Sequence, residues 1–147
     1  MLLVIIMENK FEIFKNINIL VLDDVSFYYS LIKDHLKILG FEGAVFKALG
    51  VLDGIEILKK HKDTNKEIDL ILCDLYMPEY NGLDFIKTVR ASKSFAKVPI
   101  MVFTAETEQG RIIEAIQAGA NSYLLKPWEA IQLKEKLIES LTVIRHL

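Results

Sequence analysis

Apolar positions in this chain fall in short, nearly unbroken runs that alternate with stretches of helical spacing. Ile17–Leu22, Ala44–Ala48, Ile68–Cys73, Val98–Phe103 and Ser122–Leu125 are such runs, the third interrupted only by Asp69. Runs of this kind predict strands buried on both faces of a parallel sheet. Between the first two, Val25–Leu39 sets Leu31, Ile32, Leu36 and Leu39 near a spacing of three and four and stops at Gly40. Leu52–His61 predicts a second helix with Ile55, Ile57 and Leu58 as its core stripe. Pro78–Gly82 reads as a turn, followed by a helix over Leu83–Ala91. Ile112–Ala118 predicts a fourth helix closed by Gly119, and Pro127 a last one, opened by proline at its first helical position. The pattern is five strand–helix units, hence an α/β fold with a parallel sheet. Right-handed crossovers leave it few topologies.

The polar residues closing these runs carry the candidate chemistry. Asp23 and Asp24 follow the first strand, Asp74 the third, Thr104 the fourth and Lys126 the fifth. Ligands of open parallel sheets bind beyond the carboxyl ends of the strands, so one fold gathers all five side chains at one edge. Taken singly, each has an ordinary reading. The aspartates suit helix caps or turns, Thr104 a strand residue or the cap of a helix opening at Ala105, and Lys126 a solvated surface. Together they differ. Three converging carboxylates repel one another, and a bound cation relieves that repulsion. Oxygen ligands with open water positions suit Mg²⁺. A phosphoryl group on Asp74, acting as nucleophile, then finds a cation, the Lys126 ammonium and the Thr104 hydroxyl for its oxygens.

Composition narrows the classes. The chain has 147 residues, enough for one domain with short tails, and is 52% hydrophobic and 26% charged. A net charge of −2 offers no basic footprint for nucleic acid. No segment reaches the ~18 apolar residues of a membrane span. Met1–Ile6 is apolar but lacks the cationic start of a signal peptide, so it reads as a short tail or extra strand, with Met7 an alternative start. The single cysteine, Cys73, fits a reducing cytoplasm. His35, His61 and His146 read as helix-surface residues and Trp128 as packing. No zinc-ligand spacing, no G-x-x-x-x-G-K loop and no Ser-His pairing is present.

Four stretches at these spacings are specific: L-V-L-D-D at Leu20–Asp24, D-L-Y-M-P-E-Y-N-G at Asp74–Gly82, T-A-E at Thr104–Glu106 and Y-L-L-K-P at Tyr123–Pro127. Over about residues 15–145 the chain resembles the receiver domain of two-component response regulators, most closely the single-domain chemotaxis type. The resemblance implies a doubly wound, five-stranded parallel sheet in the order 2-1-3-4-5, flavodoxin-like. It implies that Asp74 accepts phosphate from a histidine kinase or phosphotransfer protein. Asp23, Asp24, Asp74 and the backbone carbonyl of Tyr76 would organise Mg²⁺, with Asp24 more often the direct ligand than Asp23. Thr104 and Lys126 would contact the phosphoryl oxygens, and a cis bond before Pro127 would aim Lys126 into the cleft. On switching, Thr104 would move toward the phosphoryl group and Tyr123 turn inward. That would reshape the surface of the fourth helix, fifth strand and fifth helix, about Glu106–Ser140, for an output protein. Tyr76 is bulky where those regulators often carry a small polar residue, and Glu106 is of the usual acidic type. Both would flank the path of attacking water.

The expected organisation is an N-terminal extension over 1–15 and a receiver over 16–147, in a cytoplasmic monomer or weak homodimer. It would catalyse only its own Mg²⁺-dependent phosphorylation and dephosphorylation. The alternatives are a receiver from a larger DNA-binding or hybrid-kinase regulator, an Mg²⁺-dependent phosphatase with an Asp nucleophile, and a flavodoxin-like cofactor binder. The phosphatase needs a second Asp two residues after its nucleophile, where Tyr76 stands. The cofactor binder needs a phosphate-cradling loop, where Asp23-Asp24-Val25 is anionic.

Overall fold

The computed structural model describes residues 1–3, 12, 14–77, 81–105 and 109–145. Glu106, His146 and Met7 lie outside these residues, as does most of the expected turn at Pro78–Gly82. Leu2 and Leu3 are helical, so at those two positions the extra-strand reading gives way.

Five parallel strands form one sheet: β1 Ile19–Leu22, β2 Val45–Ala48, β3 Leu70–Cys73, β4 Ile100–Thr104 and β5 Ser122–Leu125. Their order is β2-β1-β3-β4-β5, as expected. The helices are α1 Ser26–Ile38, α2 Val51–His61, α3 Gly82–Ala91, α4 Gln109–Ala118 and α5 Ala130–Arg145. Side chains alternate across a strand, so each central strand feeds two cores. Ile19, Val21, Leu70 and Leu72 pack under α1 and α5 with Ile32 and Leu137. Leu20, Leu22, Ile71 and Cys73 pack under α2, α3 and α4 with Leu58 and Phe85. Every residue of β1, β3 and β4 is buried, which is why these segments read as continuous apolar runs. At the edge, β5 alternates: Ser122 and Leu124 are buried, Tyr123 and Leu125 exposed. The buried hydroxyls of Ser122 and Ser140 are hydrogen-bonded to each other, joining β5 to α5.

Several boundaries differ from the apolar runs for identifiable reasons. The first and third strands begin at Ile19 and Leu70, not Ile17 and Ile68. The Asn18 backbone N–H donates to Asp69 Oδ2 at 2.8 Å. The Asn18 side-chain amide donates to the carbonyls of Asn65 and Glu67, and its oxygen accepts the Ala44 N–H. These polar groups knot three strand entrances together before pairing starts. In α2 the buried positions are Val51, Gly54 and Leu58, with Ile55 and Ile57 only partly covered. A Cβ at Gly54 would come within 3.1 Å of Leu22 Cδ2 and 3.2 Å of Phe85 Cε1, so a bare glycine lets this helix lie close to the sheet. Pro127 does not open the last helix. The Lys126–Pro127 bond is cis, and the helix begins at Ala130. Gln132 Oε1 accepts the Glu129 N–H at 2.7 Å while the Glu129 carbonyl accepts from Gln132 and Leu133, so the start is capped there instead. His35 and His61 are not plain surface residues either. His35 is half-buried and its Nδ1 accepts the Trp128 indole N–H at 3.0 Å. His61 lies against Phe46 with ring centroids 4.4 Å apart.

Candidate functional site

Each functional side chain owes its place to the end of a buried strand. Asp23 follows β1 and is fully buried, Asp24 beside it is exposed, and Asp74 follows β3 at 5% exposure. One carboxylate oxygen from each lies within 4.8 Å of the others. Lys126, following β5, reaches in with Nζ 2.8 Å from Asp74 Oδ2 and 3.2 Å from Asp23 Oδ2. Thr104 ends β4, between the strands that carry Asp74 and Lys126, and its side chain is buried. Its carbonyl accepts the Lys126 backbone N–H at 2.9 Å. The structure therefore brings Asp23, Asp24, Asp74 and Lys126 into one cluster and sets Thr104 on the adjacent strand end.

The two buried carboxylates are held by the same local device. Asp23 Oδ1 accepts the N–H of Val25 at 2.8 Å, and Asp74 Oδ1 accepts the N–H of Tyr76 at 3.1 Å. Each aspartate thus folds its own loop through the residue two positions on. The Tyr76 ring, 43% exposed, has the Arg111 guanidinium 5.3 Å from its centroid. Together with Leu75, Asn81, Leu83 and Glu114, these two residues line a shallow pocket. Tyr123 faces outward, with the Lys136 ammonium 4.8 Å from its ring.

Charge is unbalanced in this cleft. Burial pushes the Asp23 carboxyl up to about 6 and the neighbouring Asp74 charge adds to the rise, against the Val25 N–H and Lys126, which favour ionisation. One ammonium faces three carboxylates. The donor set is hard oxygen, and a small divalent cation would relieve both the repulsion and the desolvation. Cys73, next to Asp74, is a poor nucleophile: burial pushes its thiol well up and keeps it neutral.

Sequence reasoning missed two supports of this site. A Cβ at Gly82 would stand 2.1 Å from the Asp74 carbonyl oxygen, so α3 starts against the backbone that follows β3. Asn-Gly had signalled a turn; the close approach is visible only in space. The aromatic rings of Tyr28 and Phe103 also lie beside the Lys126 ammonium, at 3.7 and 5.0 Å. Tyr28 belongs to a helix remote in sequence from Lys126, so no local pattern announced it.

Residues 19–138 match the model of the response regulator receiver domain. The chain is 38% identical over 123 residues to chemotaxis protein CheY-3 of Vibrio cholerae, covering 84% of this chain and 90% of that protein. It is 40% identical over 119 residues to chemotaxis protein CheY1 of Helicobacter pylori, covering 81% of this chain and 92% of that one. Among solved structures, a putative response regulator from Chloroflexus aurantiacus superposes with a TM-score of 0.77 at 25% identity, over 86% of this chain and 98% of that one. Vibrio cholerae chemotaxis protein CheY4 gives 0.75 at 25% identity, over 86% and 99%. With the acidic cleft, the strand order and a family match over most of its length in agreement, this chain belongs to the response regulator receiver domain family.

Proposed function

We propose that this receiver is a phosphorylation-switched protein of a two-component pathway, of the chemotaxis type, with Asp74 as the phosphoryl acceptor. The observation that carries the reading is the Lys126 ammonium bridging Asp74 and Asp23 at the carboxyl edge of the sheet. An Asp74 oxygen attacks phosphorus, the P–N bond of the donor phosphohistidine breaks, and its electron pair leaves with the imidazole nitrogen, which takes up a proton from solvent. The product is an acyl phosphate. Lys126 and the Thr104 hydroxyl stabilise the charge spread over the phosphoryl oxygens. Asp23, Asp24, Asp74 and the Tyr76 carbonyl would hold Mg²⁺, which supplies charge neutralisation across the transferred group.

The receiver unit in this reading is 16–147, with 1–15 an extension; Phe14, near its end, is buried at 1% exposure in the α1–α5 core. The donor is a histidine kinase or phosphotransfer protein, and the output protein binds the face made by α4, β5 and α5, where Ile113, Ile116, Tyr123 and Leu125 are exposed. A cytoplasmic setting suits these partners. No helix among the described residues is long and apolar enough to cross a membrane.

Acetyl phosphate with Mg²⁺ tests the assignment by intact mass. Wild type is expected to gain one phosphoryl group, and Asp74→Asn or removal of Mg²⁺ to abolish the gain. Full phosphorylation persisting in Asp74→Asn would sink it.

A further inference from the structure

The Lys126 ammonium is gripped by more than carboxylates. Its Nζ lies 3.7 Å from the centroid of the Tyr28 ring, closer than to the Phe103 ring on its other flank at 5.0 Å. Tyr28 sits in the first turn of α1, and its backbone N–H donates to the Val25 carbonyl at 3.1 Å. Val25 in turn donates to Asp23. One short loop therefore sets both the buried carboxylate and the ring. The ring is braced on both sides: Phe27 stands edge-on at 5.3 Å, and Trp128 lies at 6.1 Å, tilted by 30°. Trp128 is itself buried and fixed by its bond to His35. Enclosed in this way, the Lys126 side chain keeps only 6% of its exposure.

An ammonium so far out of water needs compensation on every side. The negative face of an aromatic ring supplies it without offering a hydrogen-bond acceptor that would turn the N–H groups away from Asp74. We propose that Tyr28 is a positioning residue for phosphoryl transfer, its ring face seating the Lys126 ammonium so that its donors point at the Asp74 carboxylate and the incoming phosphoryl oxygens. This role rests on the phosphoryl-transfer reading above. As Asp74 becomes an acyl phosphate, negative charge moves from the carboxylate to the phosphoryl oxygens and the ammonium must follow it. The ring does not change charge, so it remains a fixed seat throughout. The phenolic hydroxyl has no part in this, and phenylalanine should serve as well.

Two measurements on wild type, Tyr28→Phe, Tyr28→Leu and Tyr28→Met test it. The first is the proton NMR shift of the Lys126 ε-methylene in Mg²⁺-free protein, assigned by difference from Lys126→Arg. The second is the rate of Asp74 phosphorylation by acetyl phosphate at saturating donor and Mg²⁺. Wild type and Tyr28→Phe should show an upfield ring-current shift and rates within about twofold of each other. Tyr28→Leu and Tyr28→Met should lose the larger part of the shift, leaving that from Phe103, and slow the maximal rate by about threefold to thirtyfold, the span of a desolvated cation–π contact. Methionine fills much of the lost space, so an effect shared by both variants is not a packing loss. Leucine and methionine variants as fast as wild type would overturn the proposal, as would a wild type without the upfield shift. A wild type that shows the shift but takes no phosphate would instead bring down the phosphoryl-transfer reading, and the proposed role with it.

Discussion

Tyr76 is tied to the cleft by its backbone, while its ring lies partly in solvent. Its N–H is engaged by Asp74 Oδ1, and its ring lies beside the Arg111 guanidinium. The proposed acceptor lies two residues before Tyr76, and a ring that screens Asp74 from an in-line water would slow hydrolysis, where a small amide would leave room for that water. Replacing Tyr76 by asparagine is therefore expected to speed loss of phosphate from Asp74 by up to about tenfold, a barrier lowered by about 1.4 kcal/mol. First-order decay of the phosphorylated protein in excess Mg²⁺, without kinase, measures it. Decay no faster than wild type would place the ring outside the path of water.

The start of α3 separates a local cap from a tertiary approach. Asn81 Oδ1 accepts the Asp84 N–H at 2.9 Å, an N-cap that Asn81→Ala removes at a cost of about 1 kcal/mol. Gly82 instead meets the Asp74 carbonyl, and its N–H donates to the Leu75 carbonyl at 2.7 Å. Gly82→Ala should cost about 1–3 kcal/mol in urea unfolding, as overpacking does. It should also slow phosphorylation by acetyl phosphate, which Asn81→Ala should leave unchanged. Equal phosphorylation rates in the two variants would show that the close approach does not position the proposed acceptor, Asp74. At this scale the sequence was legible wherever burial is two-sided: β1, β3 and β4 announce themselves because both faces are apolar. The acidic ends of those strands were legible for the same reason, being the first polar residues after each run. Illegible were contacts between remote segments. The bond from His35 to Trp128, the Asn18–Asp69 knot that delays two strands, and the ring under Lys126 all join residues whose local patterns are unremarkable.

For the whole molecule, the charge of the cleft predicts a dependence on pH and Mg²⁺. Asp23 has a folded value of about 6 against an ordinary 3.8, so between those values the native state holds a proton that the unfolded chain has lost. Stability then falls as pH rises through this window and levels off above it. In Mg²⁺-free protein, the stability of wild type relative to Asp23→Asn should therefore fall as pH goes from about 4 to 6. Mg²⁺ affinity should rise over the same interval, because the ligand must be ionised to bind. Urea unfolding and Mg²⁺ titration at each pH measure the two trends, and a flat Mg²⁺ affinity from pH 5 to 7 would contradict the assignment. The way β5 is mounted carries a further consequence. Its carboxyl end leads into Lys126, in contact with both buried carboxylates, and its amino end is fastened to α5 by the Ser122–Ser140 hydroxyl pair. Strand and helix are thus coupled at a point away from the cleft, so a displacement of Lys126 carried along β5 would reach α5 through that fastening.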